Sequence, residues 1–189
     1  PLDILLNSLE EASAGTERDK GTRFETLIRD WIIKEPTYRD LFSEVLTYKD
    51  WSKQHPELVS SCRDIGIDLV GVNSDGDGYT AIQCKFYDKE ATVPKSGVDS
   101  FLASSNKPFF TRRFLVATNE NWTDNVKEEF QQQTPPVTLI TRETLASSTV
   151  DWAAYLKGEL KEVAKRTPRD YQKEAIRNVI AGLKEADRG

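Results

Sequence analysis

Asp68, Gln83 and Lys85 are polar residues standing where a pair of strands ought to be apolar. Asp68 interrupts Ile67-Asp-Leu-Val70, while Gln83 and Lys85 alternate with apolar residues in Ile82-Gln-Cys-Lys-Phe86. Residues two apart on a strand share a face, so Gln83 and Lys85 project to one side and Ile82, Cys84 and Phe86 to the other. Gln83 lies fifteen positions after Asp68, and Asn73-Ser-Asp-Gly-Asp-Gly78 between them is dense in turn formers, which predicts a β-hairpin. A carboxylate, an amide oxygen and an ammonium then converge on one patch of sheet. That set suits phosphodiester hydrolysis. Mg²⁺ takes oxygen ligands in near-octahedral geometry and keeps several waters. Asp68, the Gln83 side-chain oxygen and the main-chain carbonyl of Cys84 would supply them. Lys85 would orient the attacking water or stabilise developing charge. Glu25 is a fourth candidate, reaching the sheet directly or through a water.

The elements that must position these groups follow from periodicity. Residues 2–14 read as an amphipathic helix carrying Leu2, Leu5, Leu6 and Leu9 at helical spacing. Gly15 to Gly21 reads as a polar connection, with Thr22 as N-cap and Glu25 at the reciprocal capping-box position. Phe24, Leu27, Ile28, Trp31 and Ile32 form the core stripe of that helix, and Glu25 lies at its edge. Strands are expected over 42–51, 67–72, 79–87, 114–117 and 137–140, and helices over 98–103 and 125–133. Helical patterns continue after Trp152 to Val163, and a new helix opens at Pro168. This order predicts an α/β sandwich with a central mixed sheet.

Composition removes several classes of function. Twenty-six Lys and Arg against 31 Asp and Glu leave a net charge of −5, which argues against gripping nucleic acid by bulk charge. Any DNA contact needs a local basic face, and Lys107, Arg112 and Arg113 form a candidate cluster. One histidine and two cysteines without a CxxC pair argue against a Cys/His zinc site. No apolar run approaches the ~20 residues of a membrane span. With no secretory pattern, the expectation is a soluble chain without membrane partners. Asn73, Asp75, Asp77 and Gly78 imitate the start of an EF-hand loop, but Cys84 stands where a bidentate Glu is needed, so the segment reads as a turn.

Gly66-Ile-Asp-Leu69 followed by Ala81-Ile-Gln-Cys-Lys85 resembles the PD-(D/E)XK nuclease core in its QxK form, as in Mrr-like restriction endonucleases. Arg23-Phe-Glu25 resembles that family's N-terminal helix. Phe114-Leu-Val-Ala-Thr-Asn119 and Val137-Thr-Leu-Ile-Thr-Arg142 resemble its later strands. The resemblance implies a restriction-endonuclease-like α/β core, with Asp68, Gln83 and Lys85 at the catalytic positions. It makes Glu25 the helix carboxylate assisting the metal. Most of the wider superfamily carries Asp or Glu where Gln83 stands. The neutral amide implies weaker intrinsic metal binding, compensated by Glu25 or by a DNA phosphate.

Thr167-Pro-Arg-Asp-Tyr-Gln-Lys-Glu-Ala-Ile176 resembles the segment leading into superfamily 2 helicase motors, in which Gln172 would read adenine. The chain has no GxxxxGK[ST], so ATP would belong only to a motor beyond it. The division expected is 1–157 nuclease, 158–167 linker and 168–189 the start of the motor. A nuclease placed before such a motor resembles the amino end of a Type ISP restriction-modification enzyme. That family implies a prokaryotic, cytoplasmic protein acting on double-stranded DNA. Its motor, methyltransferase and target-recognition domains share one polypeptide and supply the specificity. On this reading the chain alone is a monomeric, non-specific endonuclease domain. The rival is a catalytically inactive nuclease-like module that binds DNA or docks the motor. Retention of Asp68 and Lys85 favours the active form.

Overall fold

The computed structural model describes residues 1–13, 16–59, 66–93 and 95–158. Apart from Gly158, the expected linker lies outside them, as do the motor segment and Gln172. Five strands form one mixed sheet in the order β1 (Phe42–Thr47), β2 (Leu69–Asn73), β3 (Tyr79–Lys85), β4 (Phe110–Ala117) and β5 (Val137–Ile140). The first three are antiparallel neighbours, and β3, β4 and β5 run parallel. Helices α1 (Leu2–Ala12) and α2 (Glu17–Ile32), with the short α6 (Arg142–Ala146) and α7 (Trp152–Tyr155), cover one face. The other is covered by α3 (Tyr48–Gln54), α4 (Asp99–Ser104) and α5 (Asp124–Gln132). No helix among the described residues is long and apolar enough to cross a membrane.

Strand alternation feeds both layers. On β3, Ile82 and Cys84 face the α1/α2 layer while Ala81 faces the α3/α4/α5 layer; on β4, Phe114 and Val116 oppose Leu115 and Ala117 in the same way. The α2 stripe of Phe24, Leu27, Ile28, Trp31 and Ile32 is fully buried. Each such side chain contributes roughly 1.5–3 kcal/mol on leaving water. The Trp31 indole donates to Ser148 Oγ at 2.8 Å, and the buried Glu35 carboxylate accepts from Ser148 and from Thr149 N. Together they tie the end of α2 to the loop after α6.

Several expected boundaries are displaced, each for a local reason. Helix α2 begins at Glu17, capped by Thr16, whose Oγ1 accepts from Asp19 N at 3.3 Å. Thr22 is not the cap; it sits inside the helix and donates back to the Arg18 carbonyl. Ion pairs Lys20–Glu17 and Arg23–Asp19 hold together a polar first turn that has no apolar stripe to reveal it. The strand expected over 42–51 ends at Thr47, which caps α3 through Asp50 N at 3.1 Å. Tyr48 and Trp51 are buried by one helical turn, not by strand pleating. Strand β4 starts at Phe110, four residues before the sequence reading placed it, and the one-turn α6 was not expected.

The β2–β3 turn holds itself with its own polar groups. Asn73 donates to Asp77 at 2.7 Å and to Thr111 at 2.9 Å, and accepts from Thr80 at 2.7 Å. Arg112 donates to Asp75 and, at 3.4 Å, to Asp77, and this bond holds the Asp75 carboxyl down to about 2. A depressed folded value means the contact is intact above the ordinary 3.8 and is lost as pH falls toward 2. An NMR titration should place the Asp75 midpoint near 2, and Arg112→Ala should return it to the ordinary carboxylate range. An unperturbed midpoint in the wild type would refute the pairing.

Candidate active site

The site begins at Gly66, whose φ is 83°. A Cβ there would stand 2.8 Å from Ser100 Oγ and 3.2 Å from Phe101 N. Only glycine lets the chain turn left-handed and pass this close to α4. Two residues on, Asp68 is fixed from three directions. Its N–H donates to the Ile82 carbonyl at 3.0 Å, and its own carbonyl accepts from Tyr48 N at 2.9 Å. Its carboxylate Oδ2 accepts from Cys84 N at 2.7 Å. The last bond crosses the hairpin and sets the carboxylate against the main chain of β3.

Asp68, Gln83, Cys84 and Lys85 line one cleft of about 500 Å³, walled by Gly66 and by Ser100 and Ser104 of α4. Glu25 does not enter it. It lines an adjoining cleft of about 750 Å³ on the α2 side, and Asp68 lines both. Cys84, in the first cleft, is partly buried. Burial pushes its thiol up, and the Asp68 and then the Glu25 carboxylate push it further.

Gln83 is 2% exposed, and its Oε1 has no hydrogen-bond partner among the described residues. An unsatisfied buried acceptor costs about 1–3 kcal/mol and calls for a ligand or a function. Among the described residues no three His, Cys, Asp or Glu side chains gather as a metal cluster. The donors here are of another kind: one carboxylate, one amide oxygen and the Cys84 main-chain carbonyl, with a second carboxylate next door. All are hard oxygens, so they fit a hard divalent cation.

The basic cluster expected at Lys107, Arg112 and Arg113 does not form. Consecutive residues on β4 face opposite sides. Arg113 points inward at 1% exposure. It donates to the Ser105 and Pro135 carbonyls, to Asn106 Oδ1 and to Gln133 Oε1, all between 3.2 and 3.3 Å. It joins the ends of α4 and α5 to β4. Arg112 is held by the hairpin carboxylates, and Lys107 alone stays exposed. Ser100 and Ser104 were not singled out in the sequence; their i, i+4 spacing on one helix face is the signal that was there.

Residues 33–162 match the Mrr_cat_2 family model, described as restriction endonuclease. The chain belongs to this restriction endonuclease family. Asp68, Gln83 and Lys85 fall inside the matched span of the Mrr_cat_2 domain, and Glu25 falls before it. Restriction endonucleases generally use divalent metal ions, in keeping with the oxygen donors of the cleft. Among solved structures the chain is similar to the ATP-dependent Type ISP restriction-modification enzyme LlaBIII bound to DNA. The identity is 29% and the TM-score 0.69, covering 97% of this chain. The Mrr_cat_2 chain spans only 11% of that enzyme's length. A looser likeness joins it to the MspJI restriction endonuclease in complex with a 27-mer oligonucleotide. That match has 16% identity and a TM-score of 0.33, over 69% of this chain and 31% of that one, and adds nothing to the argument. No curated protein sequence matches the chain.

Proposed function

We propose that this Mrr_cat_2 domain is a Mg²⁺-dependent endonuclease hydrolysing phosphodiester bonds of double-stranded DNA. The observation that carries the reading is Gln83 Oε1, buried without a hydrogen-bond partner among the described residues, beside a fixed carboxylate and a lysine. Asp68, Gln83 and the Cys84 carbonyl would hold the cation, with Glu25 assisting from the adjoining cleft. When bound, the cation supplies Lewis acidity at the phosphate. Asp68 is oriented for this by Cys84 N–H, so its carboxylate needs no rearrangement. Lys85 lines the same cleft and holds the attacking water or neutralises charge growing on the phosphate oxygens. The domain is non-specific alone. By its likeness to a Type ISP enzyme, it works within a longer polypeptide whose motor, methyltransferase and target-recognition parts deliver the DNA, with ATP used only by the motor.

Supercoiled plasmid tests this sensitively, because one nick relaxes it. At micromolar protein and low salt, the chain is expected to nick slowly with Mg²⁺ and not at all with EDTA. Gln83→Glu, which adds a charge at the cation, should preserve or lower the Mg²⁺ concentration for half-maximal nicking. Nicking that persists in EDTA would refute the cation's role. Intact plasmid under every divalent cation would favour the runner-up, an inactive nuclease-like module that docks DNA for the motor.

A further inference from the structure

The groove on the α2 side of Asp68 has basic lining residues that the cleavage chemistry does not use. Arg18 from the first turn of α2 and Lys49 and Lys53 of α3 line it together with Asp68. We infer that this groove seats the DNA backbone beside the cleaved bond, Arg18, Lys49 and Lys53 each taking a phosphate. The inference rests on the nuclease reading and extends it to how the substrate strand is held.

Three observations support it. First, the groove and the catalytic cleft are continuous through Asp68, which lines both, so a strand lying in one leads into the other. Second, α3 is not free to drift. Tyr48 N donates to the Asp68 carbonyl at 2.9 Å, and Trp51 packs into the core, so Lys49 and Lys53 project from an element locked to the metal-site backbone. At i and i+4 they share one helix face about 5–6 Å apart, a spacing that serves neighbouring phosphates. Third, the charges suit a polyanion only once the site is loaded. The three cations meet three carboxylates, Glu25, Asp50 and Asp68. Asp50 also accepts from Thr47 at 2.8 Å, so Lys53, 3.2 Å from it, can exchange that carboxylate for a phosphate. A divalent cation on Asp68 and Glu25 tips the remainder positive. Neither Arg18 nor Lys49 is committed to an ion pair among the described residues. Phosphate contacts of this kind position a strand without reading its sequence.

The test is fluorescence anisotropy of the 189-residue chain on a short DNA duplex. Ca²⁺ serves as the probe cation, since it takes the same oxygen ligands, and salt is varied between about 50 and 200 mM. Lys49→Ala/Lys53→Ala is expected to flatten the slope of log affinity against log salt by about 1.8, and Arg18→Ala by about 0.9. Lys127→Ala, on the exposed face of α5, should leave the slope unchanged. Replacing Ca²⁺ by EDTA should weaken wild-type binding. All three groove residues are exposed, and circular dichroism confirms that the variants fold. An unchanged slope in the double variant overturns the inference, as does an absence of wild-type binding in Ca²⁺. Plasmid nicking with Mg²⁺ then shows separately whether the nuclease reading stands.

Discussion

Asp68→Asn is expected to lower Mg²⁺-dependent nicking by about 10²–10³-fold while leaving the stability of the fold close to that of the wild type. The asymmetry comes from the two jobs of one carboxylate. Asp68 Oδ2 accepts from Cys84 N at 2.7 Å across the hairpin, and the amide oxygen of asparagine can take over that bond. What asparagine cannot replace is the charge on a divalent cation's ligand. Asp68→Ala should show both losses, because Cys84 N–H is then left without its acceptor, at a cost of about 1 kcal/mol or more. Plasmid nicking and urea denaturation of the two variants side by side check this. Equal stability in both would show that the hairpin bond contributes nothing. Undiminished nicking in either would remove Asp68 from the chemistry.

Gln83→Met should move stability and function in opposite directions. The side chain is 2% exposed, and its Oε1, without a hydrogen-bond partner among the described residues, is a standing cost of about 1–3 kcal/mol. Methionine of similar volume removes that cost, so in EDTA the variant should unfold about 1 kcal/mol later in urea than the wild type. Adding Mg²⁺ should reverse the order. The wild type gains stability in proportion to the logarithm of cation concentration over its dissociation constant, and the variant gains little. Nicking should fall with the lost ligand. A variant less stable than wild type in EDTA would mean that Oε1 is satisfied, and a parallel Mg²⁺ response would mean that Gln83 does not touch the cation.

The parts of this fold that were legible in the sequence are those whose signal is local. The β2–β3 hairpin declared itself through a mostly apolar run before six turn-forming residues and an alternating run after them, and β5 through a short strand pattern after two prolines. The shared cleft of Asp68, Gln83 and Lys85 follows from that hairpin alone. Signals failed where distant partners decide the outcome. Thr22 and Glu25 imitate a capping box, yet Thr16 caps because ion pairs stabilise a polar first turn. Arg113 looks like surface until carbonyls from residues 105 and 135 close around it. Tyr48 and Trp51 fit an aromatic strand as well as a helical turn, so α3 stayed hidden. With it stayed Lys49 and Lys53, which line the groove beside Asp68. Ser100 and Ser104 could be placed only once Gly66 had brought α4 against the hairpin.

Strand β3 is where the sheet changes from antiparallel to parallel pairing, and this gives the site a two-stage assembly. The hairpin half closes over a short loop, so Asp68 meets Cys84 early and at little entropic cost. Parallel pairing with β4 has to wait for a long crossover that includes α4, and contacts of that separation form late. Until then Gln83 remains hydrated and the cleft has no α4 wall. A growing chain therefore carries Asp68 in position well before Gln83 is buried, and the cleft the two residues share is complete only with the last, non-local pairing.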